Sequence, residues 1–154
     1  MSNPLYITQE QLVGQLPADF LEQALTDTEP EVPDEEVVGA EEPDTTIWDA
    51  VLATAVEQIH SRLAPRFVVP FPEPFPAAVM EAARVFVCEA LYIRRDVTGK
   101  ANPWTEQANR MRARLDDIGN GKAALAGAEP TAFAAGGVIS EDLTTVPSVG
   151  KMLL

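Results

Sequence analysis

The chain has 154 residues, of which 46% are hydrophobic, and a formal net charge of −13. Residues 1–61 contain no lysine or arginine and 14 of the 24 acidic residues, so all 11 basic residues lie in the remainder. This distribution argues against binding to nucleic-acid phosphates, which needs a basic face. It suits simple solubility or contact with a basic partner.

Three further classes of protein are disfavoured by the residue pattern. Cys88 is the only cysteine, so an intramolecular disulfide is excluded. The first residues lack the basic and then apolar pattern of a secretory signal. The longest apolar stretch, residues 77–93, is interrupted by Glu81, Arg84 and Glu89 and is too polar for a membrane helix. We therefore expect a protein made and used in a cytoplasm, or carried in an assembly built there.

The chain opens with two predicted short helices. The spacing of Thr8 and Gln11 is that of a capping box, which predicts a helix that carries Leu12 and Leu16 and ends at Pro17. The second helix is predicted from Ala18 to Leu25, with one apolar side formed by Phe20, Leu21, Ala24 and Leu25. Both are too short to be stable alone and must pack on a larger unit.

An acidic segment follows, with nine acidic residues and three prolines between Asp27 and Asp44. Such a composition cannot bury enough apolar surface to offset the entropy of ordering it. We predict an exposed loop. An acidic arm that binds a basic partner is the alternative. A calcium loop is disfavoured because the regular ligand spacing and the turn glycine of an EF-hand are missing.

From Thr46 to about Ala64, apolar residues recur at intervals of three and four, which predicts a helix ended by Pro65. His60 lies beside this apolar stripe; without a second histidine or a cysteine near it, packing is a better interpretation than metal binding or catalysis.

Prolines alternate with aromatic residues from 65 to 76, which predicts an extended course. We expect its aromatic residues, Phe67, Phe71 and Phe75, to fold back as a lid on the core. The alternative is that the segment is displayed as a ligand for a proline-recognising domain.

Two more helices complete the predicted core. The helix from Pro76 to about Arg95 is apolar on most sides, so it is expected at the centre, with Cys88 as a small buried residue. Its predicted apolar positions are Val79, Met80, Ala83, Phe86, Val87, Ala90, Leu91 and Ile93. The last helix is predicted to begin at Asn102-Pro103 and to end at Gly119 and Gly121. Its stripe consists of Trp104, Ala108, Met111, Leu115 and Ile118.

Three arginines of the last helix lie off its apolar stripe: Arg110, Arg112 and Arg114. They are either a solvated face balanced by Asp116 and Asp117, or inter-subunit contacts with the acidic half of a neighbour.

From Ala123 the helical pattern is lost, which predicts an extended tail. Near its end the tail carries five large apolar residues: Val146, Val149, Met152, Leu153 and Leu154. They favour a strand or hook that adds to a partner, and disfavour a free terminus.

The residues therefore predict an all-α protein: a small bundle of three longer helices plus two short N-terminal helices, with an acidic loop and an extended C-terminal tail. The segments are 1–26 for the short helices, 27–45 for the loop, 46–122 for the helical core and 123–154 for the tail. No glycine-rich phosphate loop, nucleophile elbow or Cys-x-x-Cys pair occurs. We expect no enzyme activity, no cofactor and no metal site.

Several stretches, taken in order, resemble the Mu-like bacteriophage protein family that is related to head–tail connector, or adaptor, proteins. The similar stretches are Leu25 to Asp27, Ile59 to Phe67, Val69 to Phe71 with Pro74 to Pro76, Ala82 to Tyr92, and Ala108 to Leu125 with Leu115 to Lys122 as the closing motif. The resemblance runs from Thr46 to Leu125 and includes the two opening helices, so it covers about 100 residues. Many relatives carry a compact Asp/Gly-rich loop where this chain has its longer Glu/Pro-rich segment, so no ion site is carried over.

The resemblance implies a virion structural protein of the neck, between capsid and tail, assembled in the cytoplasm of the host bacterium. It implies a homo-oligomeric ring of twelve copies beneath the portal protein, which receives the tail or a tail-terminator or stopper protein. The C-terminal tail would engage the portal, and genomic DNA would pass through the lumen without specific binding. No membrane is involved.

A reading of a different class is an acidic DNA-mimic or inhibitor protein that binds a basic partner. Rows of carboxylates would then occupy a site made for nucleic acid. This hypothesis explains the acidic half of the chain but not the apolar end of the tail.

Overall fold

The computed structural model describes residues 4–26 and 45–131. In chain order the helices are α1 (Gln9–Leu12), α2 (Ala18–Leu25), α3 (Thr45–Leu63), α4 (Ala77–Arg94) and α5 (Thr105–Gly119), with a short 3-10 turn at Gly99–Ala101. The part of the chain that is described contains no strand, so the predicted all-α class is confirmed. Residues 27–44 of the predicted acidic loop and the tail from residue 132 onward lie outside the described residues.

Helices α3, α4 and α5 form the bundle, with α4 antiparallel to the other two. Two side-chain pairs between α3 and α5 rise in residue number along both helices, so these two helices are parallel: Gln58 with Arg112, and Arg62 with Asp116. The central position predicted for α4 is confirmed, because it buries residues on nearly every side: Ala78, Val79, Ala82, Ala83, Val85, Phe86, Val87, Cys88, Glu89 and Leu91.

Two of the predicted core residues of α4 are exposed, and those two predictions are wrong. Met80 is 38% exposed because it lies on the outward strip of the helix together with Ala77. Ile93 is 48% exposed because it lies in the last turn, beyond Leu91, the last fully buried residue of the helix.

Helix ends follow local chemistry, and two predicted limits are wrong. The capping box forms, since the Thr8 N–H donates to Gln11 Oε1 at 3.0 Å, but α1 ends at Leu12 because Gly14 takes a left-handed φ of +96°. α5 begins at Thr105 because Asn102 caps the turn before it: Asn102 Oδ1 accepts from the Trp104 N–H at 3.0 Å.

The predicted aromatic lid is confirmed. Phe67 and Phe71 are buried against the bundle, and Phe75 packs at the edge of the same core. Tyr6 completes the cluster, with ring centroids 4.9 Å from Phe75 and 6.4 Å from Phe71. The lid therefore joins the N-terminal segment to the α3–α4 connection.

The first nine residues of the predicted tail, 123–131, lie against the bundle. Leu125 is buried in the core. The Thr131 N–H donates to the Arg66 carbonyl oxygen at 2.8 Å, and the Thr131 hydroxyl donates to the same oxygen at 3.3 Å. These contacts fix the point from which the remainder of the chain departs, next to the end of α3.

Candidate functional site

Helix α5 carries the three predicted contact residues, and it places them in different surroundings. Its inward side is apolar, with Ala108, Met111, Leu115 and Ile118 buried as predicted. Arg112 lies at the seam between α5 and the other two long helices, whereas Arg110 and Arg114 project from its outward side.

Arg112 is held by contacts from both neighbouring helices. Its guanidinium pairs with the Glu89 carboxylate of α4, and Nη1 lies 3.3 Å from Glu89 Oε1. Nε donates to Gln58 Oε1 of α3 at 3.2 Å, and the guanidinium lies 5.1 Å from the centroid of the Phe86 ring. Only 8% of the Glu89 side chain is exposed. This pair therefore fixes the position of α5, because either partner alone would be a buried charge without compensation.

A close backbone contact fixes the far end of α5 against α3. A Cβ atom added to Gly119 would lie 2.0 Å from the Arg62 carbonyl oxygen, so only glycine permits this approach. Arg62 Nε also lies 3.2 Å from the Asp116 carboxylate. Helix α5 is thus tied to α3 at both its middle and its end, and its outward side has a defined orientation.

Arg110 and Arg114 remain largely exposed. Arg110 pairs with Glu106 one turn earlier, and both side chains are more than three quarters exposed. Arg114 Nη1 lies 3.4 Å from the Glu81 carboxylate of α4, again with both partners partly exposed. Exposed pairs of this kind contribute little to stability, so the guanidinium groups can exchange partners when a carboxylate on another molecule approaches. We call these two residues the outward arginines.

His60 takes part in a hydrogen-bonded cluster at the other side of the bundle. The Phe71 N–H donates to the Tyr6 hydroxyl oxygen at 3.0 Å, and His60 Nε2 lies 2.7 Å from that oxygen. Either the hydroxyl or the imidazole donates in this Tyr6–His60 hydrogen bond, depending on the tautomer of the ring. Burial lowers the pKa of His60 and raises the pKa of Tyr6. The packing interpretation of His60 agrees with this geometry.

Cys88 is buried within α4. Burial raises the pKa of the Cys88 thiol to about 12, so this cysteine stays protonated. Within 4–26 and 45–131, no group of three or more histidine, cysteine or acidic residues is placed to hold a metal ion. Among those same residues, no helix is long and apolar enough to cross a membrane.

The sequence did not predict the contacts of three residues that fix this geometry: Glu89, Tyr6 and Gly119. Glu89 lies within the apolar run from Val85 to Leu91, and a carboxylate in that setting signals a buried partner. Tyr6 and Gly119 carried no comparable signal, because their contacts lie 54 or more residues away along the chain. The predicted portal-binding residues lie outside the described part of the chain: Val146, Val149, Met152, Leu153 and Leu154.

Comparison with known proteins gives one match. A family model described as bacteriophage Mu, Gp36 matches residues 6–140. This range includes both short N-terminal helices, the whole three-helix bundle and the first part of the tail. No curated protein and no solved structure matches the chain.

Proposed function

Because the chain belongs to the bacteriophage Mu Gp36 family, we propose that it is a structural virion protein, the head–tail adaptor that forms a ring between portal and tail. The observation that carries the proposal is the family match over residues 6–140, joined to the resemblance of that family to connector proteins. The role is one of assembly rather than catalysis. The ring has twelve copies, as the resemblance implies.

The charge distribution supports a repeated contact between copies. The outward arginines, Arg110 and Arg114, pair with exposed or partly exposed carboxylates, and residues 1–61 supply acidic groups without a single basic one. A contact between two different faces of the same protein generates a ring when its rotation closes. Charge pairs across such a contact mainly fix orientation and partner choice.

The rigidity of α5 supports the same role. The Arg112–Glu89 pair and the Gly119 contact hold the helix at fixed positions on α3 and α4. The outward arginines therefore have a defined geometry before any neighbour arrives. Preorganisation of this kind lowers the entropic cost of association.

The tail supports contact with the portal. Thr131 is anchored to the Arg66 carbonyl, so the following 23 residues depart from one fixed point on each copy. In a ring these departure points form a circle. Twelve apolar ends could then add to successive portal subunits, as extended segments add to a sheet or groove.

The remaining parts of the proposal follow from position in the neck. The opposite face of the ring receives the tail, or a tail-terminator or stopper protein. An acidic lumen lets genomic DNA pass without specific binding, since like charges repel. Assembly takes place in the cytoplasm of the host bacterium.

The proposal is tested by mixing the purified chain with its cognate portal and imaging the product by electron microscopy. We expect a ring on the portal, and we expect it to vanish when residues 137–154 are removed. Failure of the intact chain to bind would contradict the adaptor role and would favour the acidic DNA-mimic hypothesis. Deletion of residues 27–44 separates the two, because a mimic loses its partner and an adaptor keeps its place.

A further inference from the structure

A shallow apolar groove of about 380 Å³ lies between α1 and α2. Three buried leucines form its floor: Leu16, Leu21 and Leu25. Val13 stands at its edge with 67% of its surface exposed, although valine is among the residues most often buried. The volume is at the lower end of the range of about 300–1,000 Å³ for ligand pockets, which suits a few apolar side chains rather than a whole helix.

The charge around this groove restricts what can occupy it. Glu22 is the only charged residue among those that line it. Residues 1–61 contain no lysine or arginine, so α1 and α2 themselves bring only negative charge to the groove. Arg94 and Arg95 at the end of α4 contact α2 at the Ala24 carbonyl oxygen and at Gln23, which are not among the residues that line the groove. The occupant that fits is a short apolar segment that carries a positive charge.

The end of this chain has that composition. Residues 146–154, which we call the C-terminal tip, contain five large apolar residues. Lys151 lies among them and is the only basic residue of positions 123–154. The tip therefore matches both the apolar floor and the acidic edge of the groove.

The segment that connects the tip to Thr131 is long enough for the tip to reach the groove of its own chain. The tail departs at Thr131, beside Arg66, next to the end of α3 where His60 contacts Tyr6 and the N-terminal segment. Seventeen residues, 132–148, span up to about 55 Å when extended. The 19 residues of α3 are about 28 Å long, so this tether exceeds the length of the bundle.

We propose that the C-terminal tip binds in the groove between α1 and α2 of its own chain. Its apolar side chains cover Val13 and the leucine floor, and Lys151 lies beside Glu22. This inference goes beyond the adaptor role, since the contact forms in the isolated chain, without portal. In an adaptor the portal would displace the tip, so the groove would hold an assembly segment until its partner is present.

The test uses the full-length chain with a nitroxide attached at Ser148→Cys. The native Cys88 is fully buried and does not react with the label. Methyl signals of Val13, Leu21 and Leu25 are then measured by NMR in the oxidised and the reduced state of the label. We expect the oxidised label to reduce the groove methyl intensities several-fold, while methyl signals in the distant part of the bundle keep theirs.

Matched variants show whether the groove itself is responsible. Val13→Asp places a charge at the edge of the groove without disturbing the core, and should restore the intensities of Leu21 and Leu25. Val68→Asp changes an equally exposed valine, 71% exposed, outside the groove and should leave the signal loss unchanged. Circular dichroism checks that both variants remain folded.

Three results would overturn the inference. The first is undiminished intensity at the groove methyls in the intact chain. The second is an equal loss of intensity in an equimolar mixture of chains that carry only the methyl labels and chains that carry only the spin label, which would assign the groove to a second copy. The third is restoration by Val68→Asp as well as by Val13→Asp. Each is read without portal, so each is distinct from a failure of the adaptor role.

Discussion

Arginines lie on both sides of α5, and their surroundings differ. On the seam side, Arg112 is enclosed by α3 and α4, with Glu89 buried opposite it. On the outward side, two positions away in either direction, Arg110 and Arg114 have only exposed partners. Three arginines spaced by two residues therefore divide into one that holds the fold together and two that are available to another molecule.

This difference shows that the partner of an arginine, rather than its place in a pattern, determines its role. All three residues lie off the apolar stripe, and composition alone treats them alike. The contact of the three with a neighbouring subunit stays a prediction. Within that prediction, the intramolecular partners of Arg112 shift the expected contact to the outward arginines.

The largest effect is expected from breaking the seam side. Arg112→Ala leaves the Glu89 carboxylate buried without a partner and also removes the contact with the Phe86 ring. We expect a loss of about 3 kcal/mol in the free energy of unfolding, the lower end of the range for buried pairs because part of Arg112 is exposed. Urea unfolding followed by circular dichroism measures it.

Arg110→Ala is the matched control for this measurement, since it removes the same side chain two residues earlier. Its loss should be less than about 0.5 kcal/mol, as for other exposed pairs. Equal losses for the two variants would contradict the division of α5 into two sides.

A smaller effect is expected from separating α5 and α3 at their close contact. An alanine usually stabilises a helix relative to glycine, by about 1 kcal/mol. At Gly119 the sign should reverse, because the added Cβ would lie 2.0 Å from the Arg62 carbonyl oxygen. We expect Gly119→Ala to lower the free energy of unfolding by about 1–3 kcal/mol. A stabilised variant in thermal unfolding would show that this approach is not tight.

The pattern of apolar residues predicts helices far better than it predicts pairings between them. Proline set the end of α3, because a proline cannot continue a helix, and the start of α4, where a proline suits the first turn, to within one or two residues. The pairing of Arg112 with Glu89 needs the relative height of two helices, which no local pattern contains. The exposure of Ile93 also depended on where the neighbouring helices end.

The N-terminal cluster shows the same limit. Tyr6 precedes the first helix in a stretch with no periodicity, and its partners Phe71 and His60 lie 65 and 54 positions away along the chain. Its role could not be read from spacing. All three arginines of α5 were candidates because they lie off the apolar stripe, and that position did not distinguish the enclosed Arg112 from the exposed Arg110 and Arg114.

The smallest stability effect is expected from pH at His60. Burial holds its pKa in the folded chain below the ordinary value of 6.5. The unfolded chain therefore binds more protons below that pH, so stability falls as pH drops through 6.5 towards the folded pKa. We expect a small loss between pH 7 and pH 5.

His60→Gln removes the titrating group and should flatten that part of the pH dependence of the unfolding free energy. Urea midpoints measured at several pH values provide the comparison. A slope that is identical with and without His60 would assign the pH dependence to other groups.

The central claim, that the outward arginines join one copy to the next, is tested most directly by the double variant Arg110→Glu and Arg114→Glu. The control is Lys100→Glu with Lys122→Glu, which changes the net charge equally at two exposed residues outside α5. Electron microscopy with the cognate portal counts the rings. We predict that the arginine variant stays folded and forms none, while the lysine variant forms rings normally. Rings formed equally by both variants would contradict the claim.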